Sequence, residues 1–174
     1  MGNPVTVRSA GPEDWSMITE LWQHAHATRR NGRPLPASQV AYAERRLGTE
    51  GSLLLVAEEP DEEGRSADLV GTILGLRGLA DDGAGPPVPG LLHISMVSVA
   101  PDRWGRHVGR MLLEAMLAEA ARHGYDHAQL WTHADNLRAN RLYKVMGFRR
   151  SGRARIDDWG ELIVHYRRAI TDDR

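Results

Sequence analysis

The stretch HISMVSVAPDRWGRHVGRMLLEAM, residues 93–116, changes from an alternating apolar segment through a glycine-containing basic turn into an amphipathic run. The segment from Leu91 to Val99 predicts a strand, and Pro101 ends it because proline cannot donate a hydrogen bond to a sheet. The run from about His107 to His123 predicts a helix, and Gly124 fits its C-terminal cap. The sequence therefore predicts a strand, a basic turn and a helix in immediate succession.

The turn between this strand and this helix carries residues that suit an anion. Gly105 and Gly109 let a ligand approach the backbone, and positive charge comes from Arg103, Arg106 and Arg110. The first N–H groups of a helix lack partners within it and carry a partial positive charge. This combination favours a diphosphate, although the glycine spacing is neither that of a Walker A loop nor that of a dinucleotide-binding fingerprint. A turn whose glycines serve packing and whose arginines are solvated is the alternative.

Composition restricts the classes of function. The chain has 174 residues, which predicts a single domain over residues 1–174. Its 22 Lys and Arg residues balance 23 Asp and Glu residues, so no overall charge recruits nucleic acid or an anionic membrane. The absence of cysteine excludes disulfides, thiolate metal sites and a cysteine nucleophile. No apolar run approaches the roughly 18 residues of a membrane span and no signal peptide is recognisable, so we expect a cytoplasmic protein.

The rest of the chain predicts alternating strands and helices. Helical spacing of apolar residues predicts one helix within residues 11–28 and another over residues 37–48. Residues 80–90, ADDGAGPPVPG, are expected to be mobile and to lack regular structure because of their glycines and prolines. The order β-α-α-β-β-β-α-β-α-β-β predicts a mixed α/β sheet. The further predicted strands are Val5–Ala10, Ser52–Glu59, Asp68–Leu79, His127–His133, Phe148–Ile156 and Leu162–Ala169.

A second motif lies downstream in LWTHADNLRANRLYKVMGFRRSG, residues 130–152. After Asp135 or Asn136 as N-cap and before Gly147 as helix stop, it places an apolar stripe at Ala139, Leu142, Tyr143 and Met146. Together with VSVAPDRWGRHVGRMLL, residues 97–113, it resembles the GCN5-related N-acetyltransferase (GNAT) superfamily. That family has an L-x-V-x-P strand, an R/Q-x-x-G-x-G/A loop, a helix, a strand and then N-x-x-A-x-x-L-Y-x-x-x-G-F. The resemblance is strong from Leu91 to about Gly152, and the order of elements agrees over nearly the whole chain.

The resemblance implies a GNAT fold of the α/β (α+β) class. Its central sheet is mixed and mostly antiparallel, with about seven strands, about four flanking helices and a splay between the fourth and fifth strands. Acetyl-CoA is the implied co-substrate, with no metal. The backbone of residues 97–99 would pair with the pantetheine arm, the N–H of Val97 would polarise the thioester carbonyl, and the amides of residues 104–110 would take the pyrophosphate. The residues implied in binding acetyl-CoA are Val97, Ser98, Val99, Arg103, Trp104, Gly105, Arg106, His107, Val108, Gly109, Arg110 and Asn136.

Two positions of the turn depart from the family pattern. When the pattern is aligned on Gly109, its first Arg or Gln falls on Trp104 and its middle glycine falls on His107. Arg103 or Arg106 could supply the missing charge. Since His107 has a Cβ atom, the turn either avoids positive φ there or holds the phosphate differently.

Direct transfer to an amine requires a neutral amine, a donor for the tetrahedral oxyanion and a proton for the departing thiolate. Tyr143 stands at the position of the family's general-acid tyrosine, so the resemblance implies that its hydroxyl protonates the sulfur of CoA. A purely core position is the alternative, because the apolar stripe predicts burial in any case. The resemblance gives Asn136 a side-chain contact to the CoA arm, and a plain N-cap is the alternative.

His93 stands where the family often has a glutamate base. A neutral imidazole, with an ordinary pKa of about 6.5, accepts a proton at neutral pH directly or through water. His93 is therefore a candidate base or acceptor-positioning residue, and a strand histidine satisfied by hydrogen bonds is the alternative. Ser95 lies two residues on and on the same face, where it could orient a water molecule.

The resemblance implies an N-acetyltransferase that transfers the acetyl group of acetyl-CoA to a primary amine of a small molecule or peptide in a ternary complex. A non-catalytic acyl-CoA-binding sensor or partner module is the alternative. The identity of the acceptor stays open. An acidic turn beside Trp159 (Asp157, Asp158, Glu161) would suit a cationic amine, whereas arginines near residue 30 would suit an acidic or peptide-carboxylate acceptor. The acidic turn could equally be a solvated loop. Such families often dimerise, so we allow for a homodimer, and we expect neither nucleic acid nor membrane as partner.

A metal site and a serine hydrolase are not expected. His24 and His26 face different ways on a helix, while His127 and His133 are far apart on one strand with no carboxylate accompanying them. The sequence also lacks the G-x-S-x-G elbow of a Ser-His-Asp hydrolase.

Overall fold

The computed structural model of this protein describes residues 4–171. Within that range, seven strands and four α-helices follow one another in the predicted order. The strands are β1 Thr6–Ser9, β2 Leu53–Pro60, β3 Ala67–Leu79, β4 Pro87–Val99, β5 His127–His133, β6 Arg149–Ile156 and β7 Leu162–Ala169. The helices are α1 Trp15–Arg29, α2 Ala37–Leu47, α3 Val108–Arg122 and α4 Leu137–Val145. No helix in residues 4–171 is long and apolar enough to cross a membrane.

The strands form one sheet in the order β1-β2-β3-β4-β5-β7-β6. β4 and β5 are parallel, whereas the pairs β1–β2, β5–β7 and β6–β7 are antiparallel. The β4–β5 ladder joins Leu91–Ile94 to His127–Leu130 and ends there, although both strands continue. The mixed sheet of the GNAT type is confirmed, and this ladder ends in the region where the resemblance implies a splay.

The chain divides into two compact units, the first of which consists of residues up to Leu74 and of Met96–Met116. In this unit, α1 buries an apolar stripe at intervals of three and four residues, namely Ile18, Leu21, Trp22 and Ala25. Burial of each large side chain contributes about 1.5–3 kcal/mol. A Cβ atom at Gly71 of β3 would lie 2.8 Å from Leu112 Cδ1, so glycine there lets α3 pack directly on the strand.

The second unit consists of Gly75–Ser95 and the residues from Leu117 onward. Its strand β5 is amphipathic, since the three side chains of one face are buried and those of the other face are more exposed. On the buried face, Tyr166 of β7 packs against Tyr143 of α4, with ring centroids 5.9 Å apart. Helix α4 therefore covers the apolar face, and the other face carries polar and aromatic side chains. That the whole chain is a single domain remains a prediction.

The prediction that residues 80–90 lack regular structure is wrong. A 3₁₀ turn occupies Asp81–Gly83, and β4 begins at Pro87. The β3–β4 hairpin closes through two backbone hydrogen bonds, from Ala80 N to the Pro86 carbonyl at 2.9 Å and from Gly85 N to the Ala80 carbonyl at 2.8 Å. Proline lacks an N–H but keeps its carbonyl and an extended ψ, so it is tolerated at the start of a strand.

Candidate active site

Met96 gives β4 an irregular backbone, because its φ is 51°. A non-glycine residue in the left-handed region costs about 1–2 kcal/mol, and such residues occur at bulges and at functional sites. The irregularity comes directly before residues 97–99, whose backbone is predicted to pair with the pantetheine arm. Val97 and Val99 are half-buried, and Ser98 is buried. Nothing in the sequence marks Met96, since methionine has no preference for this conformation.

The turn after β4 leads directly into α3. Pro101–Arg103 forms a 3₁₀ turn, residues 104–107 continue the turn, and α3 starts at Val108. Gly105 has a φ of 78° and His107 a φ of 64°. His107 therefore adopts the left-handed conformation in spite of its Cβ atom, at a cost of about 1–2 kcal/mol. The turn therefore does not avoid positive φ at His107 and keeps the backbone shape that glycine would favour.

Trp104 connects this turn to the end of β4. Its indole Nε1 donates a hydrogen bond to the carbonyl oxygen of Val99 at 2.9 Å. The amide of Ala100 donates to the carbonyl of Val70 on β3 at 2.8 Å, so the chain leaves the sheet at a defined point. Trp104 stands where the family pattern has Arg or Gln, and here it serves to hold the turn in place. The positive charge of the turn comes from its arginines and from the N-terminus of α3.

The three arginines of the turn differ in their surroundings. Arg103 Nε donates to Glu59 Oε2 at 2.5 Å, and Arg103 Nη1 donates to Asp102 Oδ2 at 2.9 Å. Arg110 donates to a glutamate one helical turn further along α3, with 52% of its side chain exposed. Arg106 is exposed as well. The hydrogen bond to Glu59 is the main reason that the pKa of Arg103 is raised, and two carboxylates neutralise its charge. Arg106 and Arg110 are thus more open to an anion from solvent.

Tyr143 lies on α4 in the second unit and is 6% exposed. Its ring meets the rings of Phe148 and Tyr166 with centroids 5.9 Å apart in each case. Burial, and next the nearby Tyr166, raise the pKa of the Tyr143 hydroxyl above its ordinary value. The hydroxyl keeps its proton at neutral pH, which is the state that a general acid requires. The core position and a catalytic role are compatible, because they use different parts of the side chain.

The N-terminus of α4 is held by two asparagines. Asn136 Oδ1 accepts from the amide of Ala139 at 3.3 Å, which makes Asn136 an N-cap. Asn140 is 5% exposed, and its Nδ2 donates to the carbonyls of His133 at 3.0 Å and Asn136 at 2.8 Å. Its Oδ1 accepts from the hydroxyl of Tyr166 at 2.6 Å. Sequence reasoning missed Asn140, because a polar residue within a helix gives no indication that its partners lie on two strands.

His93 is half-buried in the part of β4 that belongs to the second unit, and it pairs with Gln129 of β5. Gln129 Oε1 lies 3.0 Å from His165 Nε2, and His165 Nδ1 lies 2.7 Å from Ser151 Oγ. Because an amide oxygen only accepts, Nε2 carries the proton and the serine hydroxyl donates to Nδ1. Burial, and then the charges of nearby arginines, lower the pKa of His165 to about 4, so its imidazole is neutral at pH 7. Sequence reasoning missed this polar row, since its members come from four strands.

The acidic turn between β6 and β7 is built around Asp157. Asp157 Oδ1 accepts hydrogen bonds from the amides of Trp159 and Glu161, each at 2.9 Å. Asp157 Oδ2 lies 3.1 Å from His133 Nε2, and Glu161 Oε2 lies 3.0 Å from the same nitrogen. Burial would raise the pKa of Asp157, but these two amides and His133 outweigh it and lower the pKa. The turn is therefore an ordered, partly buried structure and differs from a solvated loop.

The expectation that no carboxylate accompanies His133 is wrong. Asp157 lies 24 residues beyond His133, and the pairing of β5 with β7 brings the acidic turn to the end of β5. His133, Asp157 and Glu161 each offer one ligand atom, and these atoms lie within 4.8 Å of one another, a spacing that can hold a metal ion. The same contacts are equally complete without a metal, as contacts between the imidazole of His133 and the two carboxylates.

Comparison with known families decides what these elements belong to. The model of the acetyltransferase (GNAT) family matches residues 15–148, which include β4, the turn and α4. The chain belongs to this family. It is accordingly an acetyltransferase, as the motifs of the turn and of α4 predict.

Solved structures of known proteins share the fold of this GNAT member. The ribosomal-protein-S18-alanine N-acetyltransferase of Escherichia coli is 19% identical with a TM-score of 0.70, over 98% of this chain and 97% of that chain. A GNAT-family acetyltransferase of Staphylococcus aureus is 16% identical with a TM-score of 0.72, over 97% and 100%. The protein yncA of Salmonella typhimurium, solved with its cofactor acetyl-CoA, is 23% identical with a TM-score of 0.70, over 99% and 97%. A sequence comparison with curated proteins gives no match.

Proposed function

We propose that this acetyltransferase transfers the acetyl group of acetyl-CoA directly to a primary amine of a small molecule or peptide, in a ternary complex. The backbone of the turn after β4 is the observation that carries the proposal. Gly105 and His107 have positive φ there, and the turn ends at the first N–H groups of α3. Such a turn presents unpaired amides to an anion. A strained φ maintained at a non-glycine residue is typical of a functional site.

Acetyl-CoA would bind through its phosphates and its peptide-like arm. The amide of Trp104 donates to the carbonyl of Pro101, so the amides of residues 105–110, with the side chains of Arg106 and Arg110, would hold the pyrophosphate. The backbone of residues 97–99 would pair with the pantetheine amides as an added strand does. Asn136 uses its Oδ1 as N-cap, so its amide nitrogen would be the group that meets the arm. The presence of acetyl-CoA in the yncA structure supports this choice of donor.

The transfer itself would use one backbone amide and two side chains. The amine nitrogen attacks the thioester carbonyl carbon, and the resulting oxyanion would accept a hydrogen bond from the N–H of Val97. His93 would take the proton that the nitrogen loses, directly or through a water molecule held by Ser95. The C–S bond then breaks, and Tyr143 would donate its proton to the sulfur. Burial raises the pKa of Tyr143, so the hydroxyl still carries its proton when the C–S bond breaks.

A peptide amine is supported as acceptor by one structural relative. The Escherichia coli enzyme with this fold is named for acetylation of an alanine of ribosomal protein S18. The similarity covers 97% of that chain, so the same framework accommodates a protein substrate there. Peptides are therefore included in the first panel of amines tested with this chain.

The test is isothermal titration with acetyl-CoA, followed by detection of thiol release with polyamines, amino acids, aminoglycosides and peptides. We expect binding and turnover with at least one amine. Arg106→Gln should weaken acetyl-CoA binding about fivefold, while Arg122→Gln, the same change at the far end of α3, should leave it unchanged. Binding without turnover on any amine would favour a non-catalytic acyl-CoA-binding module. Absence of binding would overturn the proposed donor.

A further inference from the structure

The polar face of the second unit carries a cluster of arginines. Strands β6 (RRSGRARI) and β7 (LIVHYRRA) contain six arginines and no acidic residue. Arg155 is opposite Ile163, and Arg167 is opposite Gln129, so both side chains are on the face that bears His165. Arg153 joins them there, because its guanidinium lies over Trp131. We call Trp131 and these three arginines, Arg153, Arg155 and Arg167, the arginine face.

Trp131 holds two of these guanidinium groups in place. The guanidinium carbons of Arg153 and Arg155 lie 5.2 Å and 5.0 Å from the centroid of the Trp131 ring. A guanidinium over an aromatic ring is held there by cation–π attraction. Its planar fork of N–H donors matches a carboxylate, so Trp131 places two groups suited to carboxylates close together.

The charge of the arginine face is only partly compensated. Arg153 contacts the carboxylate of Asp82, in the loop between β3 and β4. Arg155 and Arg167 are exposed, and their two strands supply no acidic side chain. The buried His165 beneath the face also experiences this charge, since Arg153 and Arg167 contribute to the lowering of its pKa. With a net charge of -1 for the whole chain, this face is a local concentration of positive charge.

The arginine face adjoins the candidate base along the sheet. His93 pairs with Gln129, and Trp131 lies two residues further along β5 on the same face. Adjacent strands are about 4.8 Å apart and alternate residues about 7 Å apart, so the guanidinium groups over Trp131 are roughly 10 Å from His93. An extended peptide covers about 3.5 Å per residue, so this separation corresponds to two or three residues.

We propose that the arginine face binds carboxylates of the acceptor, so that the substrate is a peptide whose reacting amine lies two or three residues from acidic side chains. This inference rests on the proposed function, because it takes His93 as the point of reaction. It resolves the conflicting indications of the sequence in favour of an acidic acceptor. In the acidic turn, which would suit a cationic amine, Asp157 and Glu161 contact His133, and Asp157 also accepts from two backbone amides.

The test compares three peptides that differ only at positions three and four, counted from the residue with the reacting amine as position one, with glutamate, glutamine or lysine there. We expect kcat/KM to be highest for the glutamate peptide and at least about tenfold lower for the glutamine peptide, mainly through KM. The preference should weaken with rising salt, as it does for exposed charges. Equal kcat/KM for the glutamate and glutamine peptides would overturn the proposal.

Two substitutions with opposite expected effects on KM test whether the preference for glutamate arises at the arginine face. Arg155→Gln should raise KM for the glutamate peptide about fivefold and leave the glutamine peptide unchanged. Asp82→Asn should lower KM for the glutamate peptide, since it removes the carboxylate that contacts Arg153, and asparagine tolerates the left-handed φ of 52° at that position. Arg122→Gln on α3 is the control with the same charge change. If Arg155→Gln and Arg122→Gln behave alike, the assignment to the arginine face is wrong.

Direct binding separates this inference from the proposed function. Fluorescence anisotropy of labelled glutamate and glutamine peptides reports binding without turnover, and titration with acetyl-CoA reports the donor site. Selective binding of the glutamate peptide that Arg155→Gln weakens would support the arginine face even if no acetyl transfer occurs, in which case the proposed function alone fails. Turnover without such selectivity would sustain the proposed function and overturn the acidic acceptor.

Discussion

The turn after β4 and the helix α4 differ in how much their expected roles depend on side-chain identity. In the turn, Trp104 and His107 replace the residues of the family pattern, yet the φ of 64° at His107 is a backbone conformation that glycine would favour. In α4, Tyr143 is the residue of the pattern, and its ring also belongs to the core. Backbone amides bind an anion whatever side chain they carry, whereas proton donation needs one particular hydroxyl. Substitutions in the turn should therefore have small effects on activity, whereas loss of the Tyr143 hydroxyl in α4 should have a large effect.

The largest effect is expected for Tyr143→Phe. Loss of the hydroxyl should lower kcat about a hundredfold, because the departing thiolate loses its acid, while the phenyl ring preserves the packing. Steady-state kinetics with the best amine acceptor, together with thermal unfolding, measure both quantities.

Tyr166→Phe is the matched control for this substitution. It removes a hydroxyl that donates to Asn140 Oδ1 and accepts from Arg150 Nε, so it should cost about 1 kcal/mol of stability and little kcat. Equal kcat values for the two variants would show that Tyr143 is a core residue without a role at the sulfur.

The next largest effect is expected for His93→Gln. Glutamine retains hydrogen bonding but cannot take a proton at neutral pH, so kcat/KM should fall about thirtyfold. Steady-state kinetics with the best amine acceptor measure this change. An unchanged kcat/KM in the variant would assign the base elsewhere.

A smaller effect is expected for Trp104→Phe in the turn. The variant lacks the hydrogen bond to the carbonyl of Val99, which should cost about 1 kcal/mol and raise KM for acetyl-CoA about fivefold, with kcat nearly unchanged. Trp15→Phe on α1 removes an indole N–H outside the turn and serves as control. A large loss of kcat in Trp104→Phe would mean that the turn does more than hold the donor.

The smallest effect, a gain, is expected for His107→Gly. Relief of the left-handed strain should raise the free energy of unfolding by about 1 kcal/mol and lower KM for acetyl-CoA about threefold. His107→Ala keeps the Cβ atom and should show no gain in stability. If alanine and glycine stabilise equally, the imidazole itself and not the backbone is the source of strain.

Local sequence patterns were sufficient to predict the elements and to name candidate residues in the turn and in α4. The order of strands and helices follows from periodicity, and Pro101 and Gly147 mark where elements end, because each acts on its immediate neighbours. The apolar stripe on α4 correctly predicts that Tyr143 is buried. The glycines and prolines of residues 80–90 wrongly predict an irregular segment, because a local pattern does not reveal the β3–β4 hairpin that orders it.

Contacts between distant strands could not be predicted in the same way. The carboxylates that meet His133, and the row from Gln129 through His165 to Ser151, join strands that are tens of residues apart in the chain. The φ of Met96 is also a property of the folded sheet, because methionine itself does not favour that value.

By itself, the sequence determined the family, the order of elements and the location of the turn. It also marked Tyr143 and His93 as candidate site residues, since all of these depend on residues close together in the chain. Only the tertiary structure decided that His107 adopts positive φ, that Trp104 ties the turn to Val99, and that arginines from β6 gather over Trp131. The reason is that strand register and face are set by the pairing of the whole sheet. A shift of one residue would move every side chain of a strand to the other face.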